Sequence, residues 1–153
     1  QYIKSGETEA AKETGCVFCS ILASAAADEE KFLLHRARYN FIILNIYPYI
    51  SGHLMIVPFE HCPELAELSA EASAEMMELA KRTQKVLREV YRPNGFNLGM
   101  NLGRAAGTGV AEHLHLHILP RWIGDANFMT SIGETRTIPE DLRTTYEKLK
   151  GEF

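Results

Sequence analysis

The chain has 153 residues, 46% of them hydrophobic and 24% charged, with a formal net charge of -4 at pH 7. That length suits one domain with its own core and is short for two. The acidic balance argues against a sequence-independent hold on nucleic acid, which needs clustered Lys and Arg, and no apolar run reaches the roughly 18 residues of a membrane span. Residues 1–15, QYIKSGETEAAKETG, read as a polar tail without a signal-peptide pattern, to which we assign no function. A single domain over residues 16–153 and a cytoplasmic setting are expected. Three cysteines, two of them in CVFC, are too few and too uneven for a disulfide framework.

From Cys16 to Ala27 the chain opens as an apolar turn or short helix, and DEEKFLLHRARYNFIILNIYPY then crowds β-branched and aromatic residues in the manner of two strands, with residues 41–46 as a buried one. Pro48 and Gly52 turn the chain back into a second apolar strand, HLMIVPF. Between Ser69 and Tyr91 the composition shifts to helix formers. Leu68, Ala72, Met76, Leu79, Val86, Leu87 and Val90 recur at three- and four-residue spacing, Ser69 is an N-cap, and Pro93 and Gly95 stop the helix. GFNLGMNLG reads as a strand, RAAGTG as a glycine-rich loop and EHLHLHILP as another strand, and Thr137 to Lys150 as a final, shorter helix. Strands, helix, then strands again predict an α+β fold built on an antiparallel sheet.

EHLHLHILPRW concentrates the chemistry. On a strand, His113, His115 and His117 share one face while Leu114, Leu116 and Ile118 anchor the other in the core. Same-face neighbours lie about 6.5 to 7 Å apart, which suits a row of rings holding successive atoms of an extended charged ligand such as a pyrophosphate. Imidazole can attack phosphorus, donate a proton near neutral pH or ligate zinc, so the three rings need not share one task. A half-exposed edge strand on which His merely tolerates water is the plainer reading. The adjoining glycine loop, with Gly103, Gly107 and Gly109 able to bring backbone N–H groups close to an anion, weighs against it.

EHLHLHILPRW resembles the signature of the histidine triad (HIT) family. VFC, LNIYPYISGHLMIVP, RPNGFNLGMNLGRAAGTGVAEHLHLHILPRWIGDANFM and the closing IP…L run in HIT order over nearly the whole chain from Cys16. The segments look most like the diadenosine tetraphosphate phosphorylase branch, which sits close to the fragile-histidine dinucleoside polyphosphate hydrolases. The resemblance implies a HIT-like fold and a homodimer; apart from it, exposed apolar residues on the Ser69 to Tyr91 helix are a candidate interface. It also implies a nucleotide-binding enzyme that cleaves a phosphoanhydride through a nucleotidyl-histidine intermediate. By the same resemblance His115 is the nucleophile, His117 assists the leaving group and contacts phosphate, and His53 supports the triad. Asn45 corresponds to a ribose contact and Asn101 to a phosphate contact, while Gly107, Thr108, Gly109 and Val110 supply donors to phosphate oxygens. Taken singly, each asparagine equally suits a turn. Related hydrolases carry Gln in the loop before the triad, where GTGVAEH has Thr108 and Gly109 and is one residue longer, so phosphate and water both stand as acceptors.

Cys16 and Cys19 are spaced to meet one metal, and two more ligands are needed for a structural site. The resemblance supplies His61 and His113, giving a structural zinc that clamps the N-terminal segment to the sheet; no organic cofactor is expected. A packed reduced pair, a redox pair, and Cys62 in place of His61 are the competing readings. Rival functions are a purine nucleoside phosphoramidase using the same residues, a nucleotide-binding module with little catalysis, and a zinc hydrolase with all three histidines as ligands.

Overall fold

The computed structural model describes residues 15–107, 109–110, 112–133 and 138–153. Thr108, Thr137 and positions 1–14 of the polar tail lie outside the described residues. Strands β1 (Leu33–Arg36), β2 (Asn40–Leu44), β3 (Leu54–Pro58), β4 (Gly95–Gly99) and β5 (Leu116–Arg121) form one antiparallel sheet in the order β1-β2-β3-β5-β4. Around it lie helices α1 (Val17–Ala23), α2 (Ala70–Tyr91), α3 (Phe128–Ser131) and α4 (Leu142–Leu149). The architecture is α+β, as the sequence predicts.

Helix α2 starts where the sequence places it, with the Ser69 hydroxyl accepting from Ala72 N–H at 3.2 Å. It ends at Tyr91, and Arg92 takes a left-handed conformation (φ 50°) just before Pro93. Ala72, Met76, Leu79, Ala80, Val86 and Leu87 pack against Ile42, Leu44, Leu54, Ile56, Leu116 and Ile118 on one face of the sheet, with Val90 half-buried at the margin. On the opposite face, Cys16 and Phe18 cover Phe41, Ile43, Met55 and Val57. Burial on both faces explains why β2 and β3 read as continuous apolar runs rather than alternating ones. Each such side chain taken out of water contributes about 1.5–3 kcal/mol.

Several boundaries differ from the sequence reading. The strand expected over residues 41–46 stops at Leu44, because Asn45 begins the turn that leads to Gly52. GFNLGMNLG is a strand only to Gly99. EHLHLHILP enters the ladder only at Leu116: β5 pairs with β3 through Ile118, His117 and Leu116. His113 to His115 stay outside the ladder, with Leu114 N–H donating to the Cys62 carbonyl at 2.8 Å. The final helix begins at Leu142 rather than Thr137. Asp141 caps it, accepting from the N–H groups of Arg143 and Thr144. Of the large apolar residues on α2, Met77 is exposed. Strand β4 lies at the end of the sheet, and Leu98 on it and Leu102 beyond it are also exposed. No helix among the described residues is long and apolar enough to cross a membrane.

Candidate active site and metal centre

β5 and the segment leading into it divide their side chains as a strand does. Leu114, Leu116 and Ile118 enter the helix-side core, while His113, His115 and His117 face the α1 side. The rings are buried, at 1%, 6% and 9% exposure, and β5 runs between β3 and β4, so the edge-strand reading does not hold.

Each ring is held by a different partner, and the partners define which nitrogen carries hydrogen. His113 donates from Nε2 to the Pro58 carbonyl at 2.9 Å, leaving the Nδ1 lone pair free to ligate. His115 donates from Nδ1 to the His113 carbonyl at 2.9 Å, leaving the Nε2 lone pair free to attack. The third ring is set by a relay: Tyr49 N–H donates to His53 Nδ1 at 3.2 Å, and His53 Nε2 then donates to His117 Nδ1 at 2.8 Å. His117 Nε2 therefore keeps its hydrogen and is a donor. Burial, the largest cause in each case, holds all these imidazoles neutral at pH 7. His53 is pushed down to about 3, with the neighbouring His117 and His115 adding to the effect. His117 is pushed down to about 4, with His115 adding. Burial lowers His115 too, opposed by the His113 carbonyl.

Phe18 closes over this row. Its ring centroid lies 5.4 Å from that of His113, 5.3 Å from His115 and 6.5 Å from Phe41. Beside the rings is a cavity of about 450 Å³ whose wall includes Val17, Phe18, Ile21, Ile43, Asn45, Met55, Asn101, Gly109 and Val110 as well as His115 and His117. It has the size and mixed lining of a small-molecule site, largely apolar with a few polar groups. Asn45 and Asn101 both reach it. Asn45 also serves its turn, accepting from Tyr47 N–H at 2.9 Å while its Nδ2 lies 3.3 Å from His53 Nδ1. Gly107 is not part of the wall; it closes a short helical turn with φ 81°, a conformation that favours glycine. Phe18 and Tyr49 are functional neighbours the sequence reading did not single out, although Phe18 sits inside CVFC and Tyr49 inside YPY.

On the far side of Phe18, Cys16, Cys19, His61 and His113 bring one donor atom each within 4.8 Å of one another. Cys16 Sγ to His113 Nδ1 is 3.3 Å, Cys19 Sγ to His61 Nδ1 3.4 Å, Cys19 Sγ to His113 Nδ1 3.7 Å and His61 Nδ1 to His113 Nδ1 3.3 Å. Those separations match the edges, about 3.3–3.8 Å, of a tetrahedron around an ion with zinc-like bonds to nitrogen and sulfur. The Pro58 carbonyl orients the His113 ring, as outer-shell acceptors do at metal sites. His61, not Cys62, completes the set, since Cys62 packs into the helix-side core. His115 and His117 point their partners elsewhere, so the three strand histidines do not form one donor set.

The chain matches the HIT domain model over residues 27–122. It is 46% identical over 127 residues, 83% of this chain, to an AP-4-A phosphorylase of Mycobacterium tuberculosis, of whose length it spans 65%. An adenosine 5'-monophosphoramidase of Schizosaccharomyces pombe is 32% identical over 69% of this chain and 74% of its own length. Among solved structures, a Zn-bound histidine triad family protein from Mycobacterium smegmatis superposes with a TM-score of 0.71 at 28% identity, covering 90% of this chain and 91% of its own.

Proposed function

The chain belongs to the histidine triad family, and from that premise we propose that it cleaves dinucleoside polyphosphates, diadenosine tetraphosphate first, by transferring a nucleotidyl group to His115. The observation that carries this reading is the set of partners on the rings: His115 Nδ1 is tied to a backbone carbonyl, so Nε2 is the free nucleophile beside the cavity. The nucleoside enters between Phe18 and Ile43, with Asn45 toward the ribose and Asn101 toward phosphate. His115 Nε2 attacks the α-phosphorus, a P–N bond forms, and the P–O bond to the remaining polyphosphate breaks. His117 Nε2–H hydrogen-bonds the departing oxygen; a polyphosphate is a weak base, so donation from a neutral ring suffices. An acceptor oxygen, from phosphate or water, then attacks the same phosphorus, breaks the P–N bond and frees His115 for another turn. His53 positions His117 through the relay from Tyr49. The backbone N–H groups of Gly109 and Val110, which line the cavity, stabilise the added charge.

The likeness to the mycobacterial phosphorylase favours inorganic phosphate as acceptor. Incubation with diadenosine tetraphosphate, with and without phosphate, tests it. ADP and ATP formed only with phosphate support phosphorolysis, AMP and ATP without it make the enzyme a hydrolase, and no cleavage in either refutes the reading. The likeness to a monophosphoramidase supports a second substrate class, adenosine 5'-phosphoramidate, cleaved by the same histidines.

We further propose that Cys16, Cys19, His61 and His113 hold a structural zinc, which the tetrahedral spacing and the Zn-bound neighbour support. When bound, the ion supplies a cross-link between the α1 segment and the sheet and takes no part in the chemistry. Metal analysis of protein purified without added zinc is expected to give about one ion per chain. A homodimer and a reducing, cytoplasmic setting complete the proposal, with the exposed Met77 on α2 and Leu98 on β4, the strand at the end of the sheet, as apolar surface for a second copy.

A further inference from the structure

The face of β5 that carries the histidines continues beyond them. His117, Leu119 and Arg121 follow at alternate positions, so they share that face over about 13 Å of strand. Beneath Leu119 and Arg121 lies a second cavity of about 540 Å³, with Tyr49, Ile50, Asp125, Ala126 and Thr130 completing its wall. Tyr49 lines both cavities, and its ring centroid lies 6.2 Å from that of His117, which lines the first, so Tyr49 joins the two.

Arg121 is fixed in place. Its Nε and Nη2 donate to the Asp125 carboxylate, both at 2.6 Å, and its Nη1 donates to Asn97 Oδ1 at 2.6 Å. A guanidinium has five N–H donors, so two remain uncommitted, and the side chain is 40% exposed. Asp125, itself anchored by Trp122 N–H, holds the fork rigid. A fork held this way is suited to phosphate oxygens, because little freedom is lost on binding. Tyr49, 55% exposed, and the apolar Ile50 and Leu119 offer surface to an aromatic ring.

We propose that this second cavity binds the leaving half of the substrate: Arg121 takes a distal phosphate, and the second nucleoside lies against Tyr49 and Leu119. The inference rests on the nucleotidyl-transfer reading and adds the site that selects two-headed substrates over mononucleotides. The spacing along β5 acts as the ruler, with the reacting phosphorus at His115 and His117 and the rest of the chain running toward Arg121.

The test is calorimetric binding of AMP and of diadenosine tetraphosphate to a turnover-blocked His115→Asn protein. Diadenosine tetraphosphate is expected to bind at least about tenfold tighter than AMP, and Arg121→Gln to remove most of that difference while AMP affinity is held. Because Arg121 also braces Asp125 and Asn97, an Ala126→Trp variant that fills the cavity provides an independent arm with the same expected outcome. Thermal melts establish that each variant is folded. Equal affinity for the two ligands, or a preference that survives cavity filling, overturns the second site and leaves the first intact. Failure of AMP itself to bind overturns the nucleotide reading on which both depend.

Discussion

Replacing His113 by Ala separates the proposed metal centre from the proposed chemistry. The substitution removes one of the four clustered donors, takes away the partner of the Pro58 carbonyl, and leaves a void beside Phe18 where the ring was 1% exposed. An unpaired buried acceptor costs about 1–3 kcal/mol, and truncating a buried ring adds about 2–3 kcal/mol before any metal is considered. We expect a loss of about 3–5 kcal/mol in urea unfolding. Chelator should lower the wild-type midpoint toward that of the variant and barely move the variant itself. His115→Asn, by contrast, should lose turnover while keeping its unfolding midpoint within about 1 kcal/mol. A His113→Ala protein less than about 1 kcal/mol destabilised, or one that responds to chelator as the wild type does, would refute the division of labour between the two rings.

Glu75 on α2 accepts from the N–H groups of Arg38, Tyr39 and Asn40 and from Asn40 Nδ2, at 2.8–3.0 Å, clamping the β1–β2 turn. Burial alone would raise its pKa, but these donors outweigh it and hold the carboxyl below the usual range. Glu75→Gln should cost about 1–3 kcal/mol in denaturant unfolding, and a neutral result would show that water replaces the clamp. In metal-free protein, His53 and His117 fold as neutral rings at about 3 and about 4, against about 6.5 unfolded. The unfolded chain therefore binds more protons between those values. Stability should be full above about pH 6.5 and fall as acid is added toward about pH 4, and a midpoint that rises on acidification contradicts the assignment. Gly52 has φ +78°, and a Cβ there would lie 3.2 Å from Pro120 Cγ. Gly52→Ala should destabilise by about 1–3 kcal/mol in thermal unfolding, and an unchanged melt would show that the His53 loop yields freely.

The histidine row was legible because its signal is local. A period of two with aliphatic residues between fixes which face each ring takes, whether or not the segment joins the ladder. The α2 cap at Ser69 was legible for the same reason. Partners set by tertiary contact were not. Nothing in the spacing of residues 113–117 says that His53 meets His117 rather than His115, or that the Pro58 carbonyl selects the His113 tautomer. Glu75 looks like any surface carboxylate of a helix until the turn at residues 37–40 is packed beneath it. Strand ends were misjudged where backbone groups bond outside the ladder, as at Leu114, whose N–H goes to the Cys62 carbonyl, and at the turn that Asn45 begins. The second cavity went unread because Tyr49, Leu119 and Asp125 carry no shared pattern along the chain.

The claim that His115 Nε2 carries the nucleotidyl group is tested most directly by mixing the protein with diadenosine tetraphosphate, quenching in base and mapping the adduct by mass spectrometry. The predicted result is a single acid-labile adenylyl group on the peptide that contains His115, absent from His115→Asn. An adduct on another residue, or undiminished turnover by His115→Asn, would contradict it.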